Sequence, residues 1–180
     1  MGKQLRKLTP RLSEFITSQK MFFVATAMAD GKINLSPKGM DAFKVIHENK
    51  VLWLNLTGSG NETAAHLKYS ERMTIMFCAF EGPPLILRLY GKAKAYHKRD
   101  KGWDEYISLF PHYSGSRQII EMDVELVQTS CGFGVPFMDY KGERDLLGPW
   151  AVEKGDDGLE AYMQQKNMES LDGLPTGIFE

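Results

Sequence analysis

The sequence predicts a mainly β protein with peripheral helices, its strands rolled into a barrel or curled sheet. Three observations predict it. About six short runs rich in branched and aromatic residues recur along the chain, few stretches have helical periodicity, and most connections are short and hairpin-like. At 180 residues, with 43% hydrophobic and 25% charged content, the composition suits one domain with a sizeable core.

Residues 9–19, TPRLSEFITSQ, predict the opening helix. Thr9 caps it, Pro10 takes the first helical position, and Leu12, Phe15 and Ile16 share one face. Phe22 to Met28 reads as a strand, Asp30-Gly31 as a hairpin turn and Ile33 to Ser36 as the returning partner, with Pro37 ending regular pairing near Lys38. Asp41 to Lys50 reads as an irregular or partly helical link. Val51 to Leu56 is a buried strand, and Asn61 to Tyr69 a helix that offers Ala64, Ala65 and Leu67 for packing. Met73 to Phe80 is a nearly continuous apolar strand. Gly82-Pro83-Pro84 then turns the chain into a long strand, Leu85 to Tyr96, where apolar residues alternate with Arg88 and Lys92 so that its two faces meet different surroundings. Asp100 to Phe110 reads as a helix with Trp103, Tyr106, Ile107 and Phe110 on its apolar side, and Gln118 to Ser130 as the last strand.

The chain divides into a barrel with its N-terminal helix, residues 1–130, and an arm, residues 131–180. The arm opens with CGFGVPFMDYKGERDLLGPW, dense in glycine, proline and aromatics. Asp156 to Lys166 reads as a short helix and NMESLDGLPTGIFE as an extended end. Phe133, Phe137, Tyr140 and Trp150 are costly to leave in water, so the arm is expected to dock on the barrel or on a second subunit.

A net charge of −1, from 22 basic and 23 acidic residues, gives no general attraction to nucleic acid. Cys78 and Cys131 show neither metal-ligand spacing nor a disulfide framework, and His47, His66, His97 and His112 are scattered, so no metal site is expected. His66 reads as a packing or capping residue. No apolar run is long enough to span a bilayer, and MGKQLRKLTPRLSEF lacks the continuous apolar segment of a signal peptide. A cytoplasmic protein with no membrane partner is the expectation.

The chemistry concentrates between Ile33 and Leu67. Gly58 and Gly60 permit positive φ, Asn61 can cap a helix, and Glu62 and Thr63 fall in its first turn. Free N–H groups at such a helix start make an anion site, and Ser36, Lys38, Asn61 and Thr63 are the side chains that would complete a phosphate cradle. The alternative is a glycine-rich connection with an ordinary cap. A dinucleotide reading also exists, because GSGNET nearly fits G-x-G-x-x-G/A, follows a strand, opens a helix and precedes a strand ending near Glu81. Thr63 stands where close packing wants glycine or alanine, and the flanking elements are strands rather than alternating helices. An NAD-dependent Rossmann dehydrogenase therefore ranks second.

Across roughly residues 9–130, the order of KMFFVATAMADGKINLSPKG, VLWLNLTGSGNETAAHLKYSERMTIMF and LILRLYGKAKAY resembles the pyridoxamine 5′-phosphate oxidase-like family of flavin-binding split barrels. The resemblance implies a six-stranded antiparallel split barrel, a homodimer, and FMN in a cleft between protomers. It assigns Lys38 as the basic phosphate ligand, Asn61 and Thr63 as phosphate contacts and Ser36 as a further contact. Leu54, Asn55 and Leu56 would run beside the flavin ring, and Arg88 would face the ring or ribityl chain. The implied activity is two-electron redox chemistry on a small-molecule substrate, with no catalytic residue singled out. A non-catalytic flavin-binding protein, or a relative using deazaflavin or haem, are the alternatives. The vitamin B6 oxidase ends in a basic, proline-containing motif that grips its substrate phosphate. This chain ends in DGLPTGIFE, so pyridoxamine phosphate is not the expected substrate; Arg117 and Arg144 read as solvated surface arginines.

Overall fold

The computed structural model describes residues 2–180. The strands are β1 (Gln4–Leu5), β2 (Phe22–Thr26), β3 (Asn34–Lys38), β4 (Phe43–His47), β5 (Lys50–Leu56), β6 (Arg72–Cys78), β7 (Ile86–His97) and β8 (Ser116–Ser130). The helices are α1 (Pro10–Ser18), α2 (Glu62–Leu67), α3 (Lys101–Tyr106) and α4 (Leu147–Lys166), with a 3-10 turn at Ile107–Leu109. No helix among the described residues is long and apolar enough to cross a membrane.

All the strands join one eight-stranded sheet in the order β3-β2-β6-β7-β8-β5-β4, with β1 added to β8. Every pairing is antiparallel, which removes the Rossmann alternative. Eight strands stand where the sequence predicts six. One of the two extra strands is β1, whose two residues are too few to carry a period. The other is β4, which replaces the expected irregular link. Phe43 turns inward there, and the turn at Glu48-Asn49 folds β4 back onto β5.

The sheet curls until its two ends meet through side chains, but the hydrogen-bonded ladder does not close between β3 and β4. Phe43 of β4 packs edge-on against Phe22 of β2 at 4.9 Å and Phe77 of β6 at 5.2 Å. These rings join Val24, Trp53, Ile75, Leu89 and Met122 in the main core, which Leu12 and Ile16 of α1 help to cover. α1 begins as its sequence dictates, with Thr9 Oγ1 accepting from the Leu12 N–H and Pro10 in the first turn. β5 is buried on both faces. Val51 and Trp53 point into the main core, while Leu52 and Leu54 join Ile119 and Phe110 under the α3 segment. Pro37 is tolerated within β3 because that strand is a sheet edge.

Other expectations shift in detail. A loop of residues 27–33 joins β2 to β3 in place of a tight hairpin. α2 stops at Leu67, and α3 gives way to the 3-10 turn before Phe110. α4 begins at Leu147, well before the expected Asp156, and breaks at Gly155, whose φ of 64° and ψ of 176° are not helical. The C-terminal end is folded rather than extended, with Asn167 and Thr176 fully buried. Within one chain Phe133 and Phe137 do not dock on the barrel; they are 82% and 83% exposed.

The ladder between β7 and β8 shifts register between Tyr90 and Gly91. A Cβ at Gly91 would fall far inside contact distance of the Asp123 carbonyl oxygen. Gly91→Ala is therefore expected to destabilise the fold by about 3 kcal/mol or more, since a central strand cannot move aside without breaking its neighbours' bonds. Urea unfolding measures this, and a midpoint equal to wild type would show that the bulge relaxes freely.

Candidate functional site

The inner face of the edge strand β3 sets up the site. Asn34, Ser36 and Lys38 of β3 lie opposite Thr26, Val24 and Phe22 of β2, so they share the inward face of the curl. With the end of β5 at Asn55 and Leu56, the turn from Gly58 to Thr63, and Arg117 at the start of β8, they line a cavity of about 290 Å³.

Its floor is a polar network. Asn34 Nδ2 donates to Thr26 Oγ1 and to Thr63 Oγ1, each at 3.1 Å. Thr26 Oγ1 lies 3.0 Å from Nδ1 of buried His66, whose Nε2 has no partner. Because Thr63 accepts from Asn34, its own hydroxyl proton remains available to a ligand. Asn55 Nδ2 donates to Gln118 Oε1 at 2.9 Å.

Two cations face this cavity. Lys38 Nζ sits 5.1 Å from the Trp53 ring centroid, a desolvated cation–π position. Burial, then the nearby Arg117 charge, lowers the Lys38 pKa to about 8. Arg117 is only 4% exposed, and burial lowers its pKa to about 10. Its Nη1 donates to the Gly60 carbonyl at 3.1 Å and to Asn167 Oδ1 at 2.7 Å, while its buried Nε has no partner. Among the described residues no carboxylate forms a salt bridge with either cation. Glu62, the acid at the rim, accepts from the Leu171 N–H at 3.1 Å. A buried guanidinium and a half-buried ammonium, neither paired with a carboxylate, beside a ready hydroxyl donor make an anion-binding arrangement.

The anion argument thus moves from the helix start to the side chains. α2 spans only six residues, and Asn61 makes no side-chain cap; its Nδ2 donates to the Asn167 carbonyl at 3.3 Å. Neither Gly58 nor Gly60 takes a positive φ, contrary to the expectation for this turn. Of the residues singled out in the sequence, Ser36, Lys38, Asn55, Leu56, Asn61 and Thr63 come together at the cavity. Leu54 points away into the cluster under α3. Arg88 lies outside the cavity and donates to Ser130 Oγ at 3.2 Å. Arg117 is not the solvated arginine its sequence suggests. It stands one residue before the expected start of the last strand, at the irregularity in the pairing of β5 with β8, where burial is continuous and no alternation marks it. Arg144, by contrast, is exposed.

A second cavity, of about 610 Å³, adjoins the first through Lys38. Met21, Met40, Tyr113 and Tyr140 supply its apolar walls, and the arm from Gly142 to Gly148 closes one side. A small charged compartment therefore opens into a larger one suited to a flat, mostly apolar group.

Comparison with known proteins agrees with this architecture. The family profile described as pyridoxamine 5′-phosphate oxidase matches residues 8–131. A pyridoxamine 5′-phosphate oxidase family protein of Aspergillus flavus, ustO, is 36% identical over 188 aligned residues, covering 93% of this chain and 75% of the relative. Among solved structures, a provisionally assigned pyridoxamine 5′-phosphate oxidase from Lactobacillus delbrueckii superposes with a TM-score of 0.53 at 17% identity, over 68% of this chain and 94% of that one. HupZ from Group A Streptococcus gives a TM-score of 0.52 at 17% identity, over 66% of this chain and 91% of that one. At such identity the two structures share the fold.

The Lys38 environment has a consequence for stability. Its pKa is about 8 in the folded chain and about 10.4 in an unfolded one. Between those values the unfolded chain holds more protons, so this group makes stability rise with pH, and below about pH 8 its burial opposes folding in full. Lys38→Met is expected to be more stable than wild type at pH 7 and to lose that advantage by about pH 10.5. Urea unfolding of both proteins at the two pH values measures it; a pH-independent difference would mean that the ammonium is solvated.

Proposed function

This chain belongs to the pyridoxamine 5′-phosphate oxidase family, and we propose that it is an FMN-dependent oxidoreductase whose cofactor phosphate is held between Lys38 and Arg117. The observation that carries this reading is a buried guanidinium with an unpartnered Nε and a half-buried ammonium, neither with a carboxylate partner, facing a cavity where a dianion would satisfy both. In this reading Thr63 donates its hydroxyl to the phosphate, and Ser36 supplies a further polar contact. Asn55 and Leu56 line the smaller compartment, and Lys38 borders both. Met21, Tyr113 and Tyr140 wall the larger one and keep water from the ring. Bound FMN supplies the two-electron redox chemistry; the protein supplies position and electrostatics.

The reading includes a homodimer. Phe133 and Phe137 on the arm, with Ile33 and Leu35 on the β3 side, are exposed apolar side chains that a second copy would cover. Sedimentation is expected to give twice the chain mass, and a monomer at micromolar concentration would remove this part of the proposal.

The cradle is tested by comparing FMN with riboflavin, which lacks the phosphate. Lys38→Ala and Arg117→Met are each expected to weaken FMN about tenfold to a hundredfold while changing riboflavin little, and Thr63→Val to weaken FMN by about fivefold or more. Fluorescence quenching of the flavin measures all of these, and equal losses for both ligands would place the phosphate elsewhere. Anaerobic bleaching of the FMN-loaded protein by a reduced nicotinamide supports the oxidoreductase assignment; tight binding without turnover of donor or acceptor would make the protein a flavin carrier.

A further inference from the structure

The segment after α4 lies beyond the family region at residues 8–131, yet it reaches the anion cavity. Asn167 is the point of contact. It is fully buried, and both ends of its amide are used: Nδ2 donates to the Gly58 carbonyl at 3.0 Å, and Oδ1 accepts from Arg117 Nη1 at 2.7 Å. Its main-chain oxygen accepts from Asn61 Nδ2 at 3.3 Å and from Thr176 Oγ1 at 2.6 Å. One residue therefore ties together the glycine turn, the start of α2 and the buried guanidinium. The segment around it is anchored in turn. Asp172 accepts from the Lys32 N–H at 2.7 Å, and Arg99 donates to the carbonyls of Gly177 and Ile178.

We infer that Asn167 is a positioning residue for the anion cavity, aiming Arg117 into it and fixing the Gly58–Asn61 turn through a neutral amide that leaves the guanidinium charge uncancelled. The choice of an amide follows from chemistry. Holding both the Gly58 carbonyl and the Arg117 N–H requires a side chain that donates at one end and accepts at the other. A carboxylate at the same place would repel the Gly58 carbonyl and pair with Arg117, spending its charge inside the protein. The inference rests on the phosphate reading of the cavity proposed above.

The test uses Asn167→Asp and Asn167→Ala in the full chain, with FMN and riboflavin as paired probes. Asn167→Asp is expected to weaken FMN about a hundredfold and Asn167→Ala about tenfold, each with a riboflavin change of about threefold or less. The salt dependence of FMN affinity is also expected to be shallower in Asn167→Asp, because one cation is already paired. A structural role alone would lower both ligands together and leave the salt dependence unchanged, and that outcome overturns the inference. If Asn167→Asp does not fold, Asn167→Ala carries the test, and equal losses of FMN and riboflavin overturn it. If the wild type binds neither flavin, the FMN reading fails separately. Thermal stabilisation by inorganic phosphate then decides the inference: a shift in wild type that is lost in Asn167→Asp supports it, whereas equal shifts or none in either overturn it.

Discussion

The hydrogen-bonded ladder stops short of closing, and the site exists because of that gap. Between β3 and β4 the two ends of the sheet approach through aromatic side chains instead of backbone bonds. A closed barrel would fill the inner face of β3 with apolar side chains, as small barrels do. Here the inward positions of that strand are Asn34, Ser36 and Lys38, next to the core ring of Trp53. Phe22, Phe43 and Phe77 pack against one another beside this polar face and keep the ends of the sheet together.

Electrostatics runs the other way from packing. Lys38 and Arg117 each lose hydration, which lowers both pKa values, and the Arg117 charge lowers that of Lys38 further. A buried group held against its own solvation persists only where the surroundings over-determine it. The buried Arg117 is fixed by Gly60 and Asn167, and Lys38 by its strand register over Trp53. Elsewhere in the molecule charge is handled differently. Buried Glu121 is held by Lys50 at 3.3 Å and Lys94 at 3.1 Å, so that carboxylate is compensated within the chain. Glu121 is thus matched within the chain, whereas the Lys38 and Arg117 charges are not.

Local sequence carried much of this. The α1 cap and its apolar face, the period of β7 and β8, and the double burial of β5 were legible because each depends on neighbours within a few residues. Ser36, Lys38, Asn55, Leu56, Asn61 and Thr63 were legible as one group because they sit close together along the chain or follow a recognisable motif order. β4 was not, since Ile46 and Lys44 blur its alternation and a register shift falls between Val45 and His47. Arg117 and Asn167 were out of reach for a different reason. Each is an ordinary polar residue in a loop-like context, and what makes it part of a site is a partner about fifty positions or more away in sequence. Leu54 and Arg88 show the converse: a motif places them near the flavin, while side-chain direction places Leu54 on the outer face and Arg88 beside Ser130.

The division between the shared fold and the rest of the chain bears on what varies within this family. Lys38, the Thr63 network and Arg117 all lie in the region that matches the family profile. The wall of the larger cavity from Tyr140 to Gly148 does not; it comes from the arm, which contacts the barrel through few backbone bonds, such as Met138 N–H to the Phe80 carbonyl at 3.1 Å. A loop with few fixed contacts tolerates change in length and side chain far better than a central strand does. The arm's own terminus nonetheless returns through Asn167 to Arg117 and the Gly58 carbonyl, so the two parts are coupled through one amide.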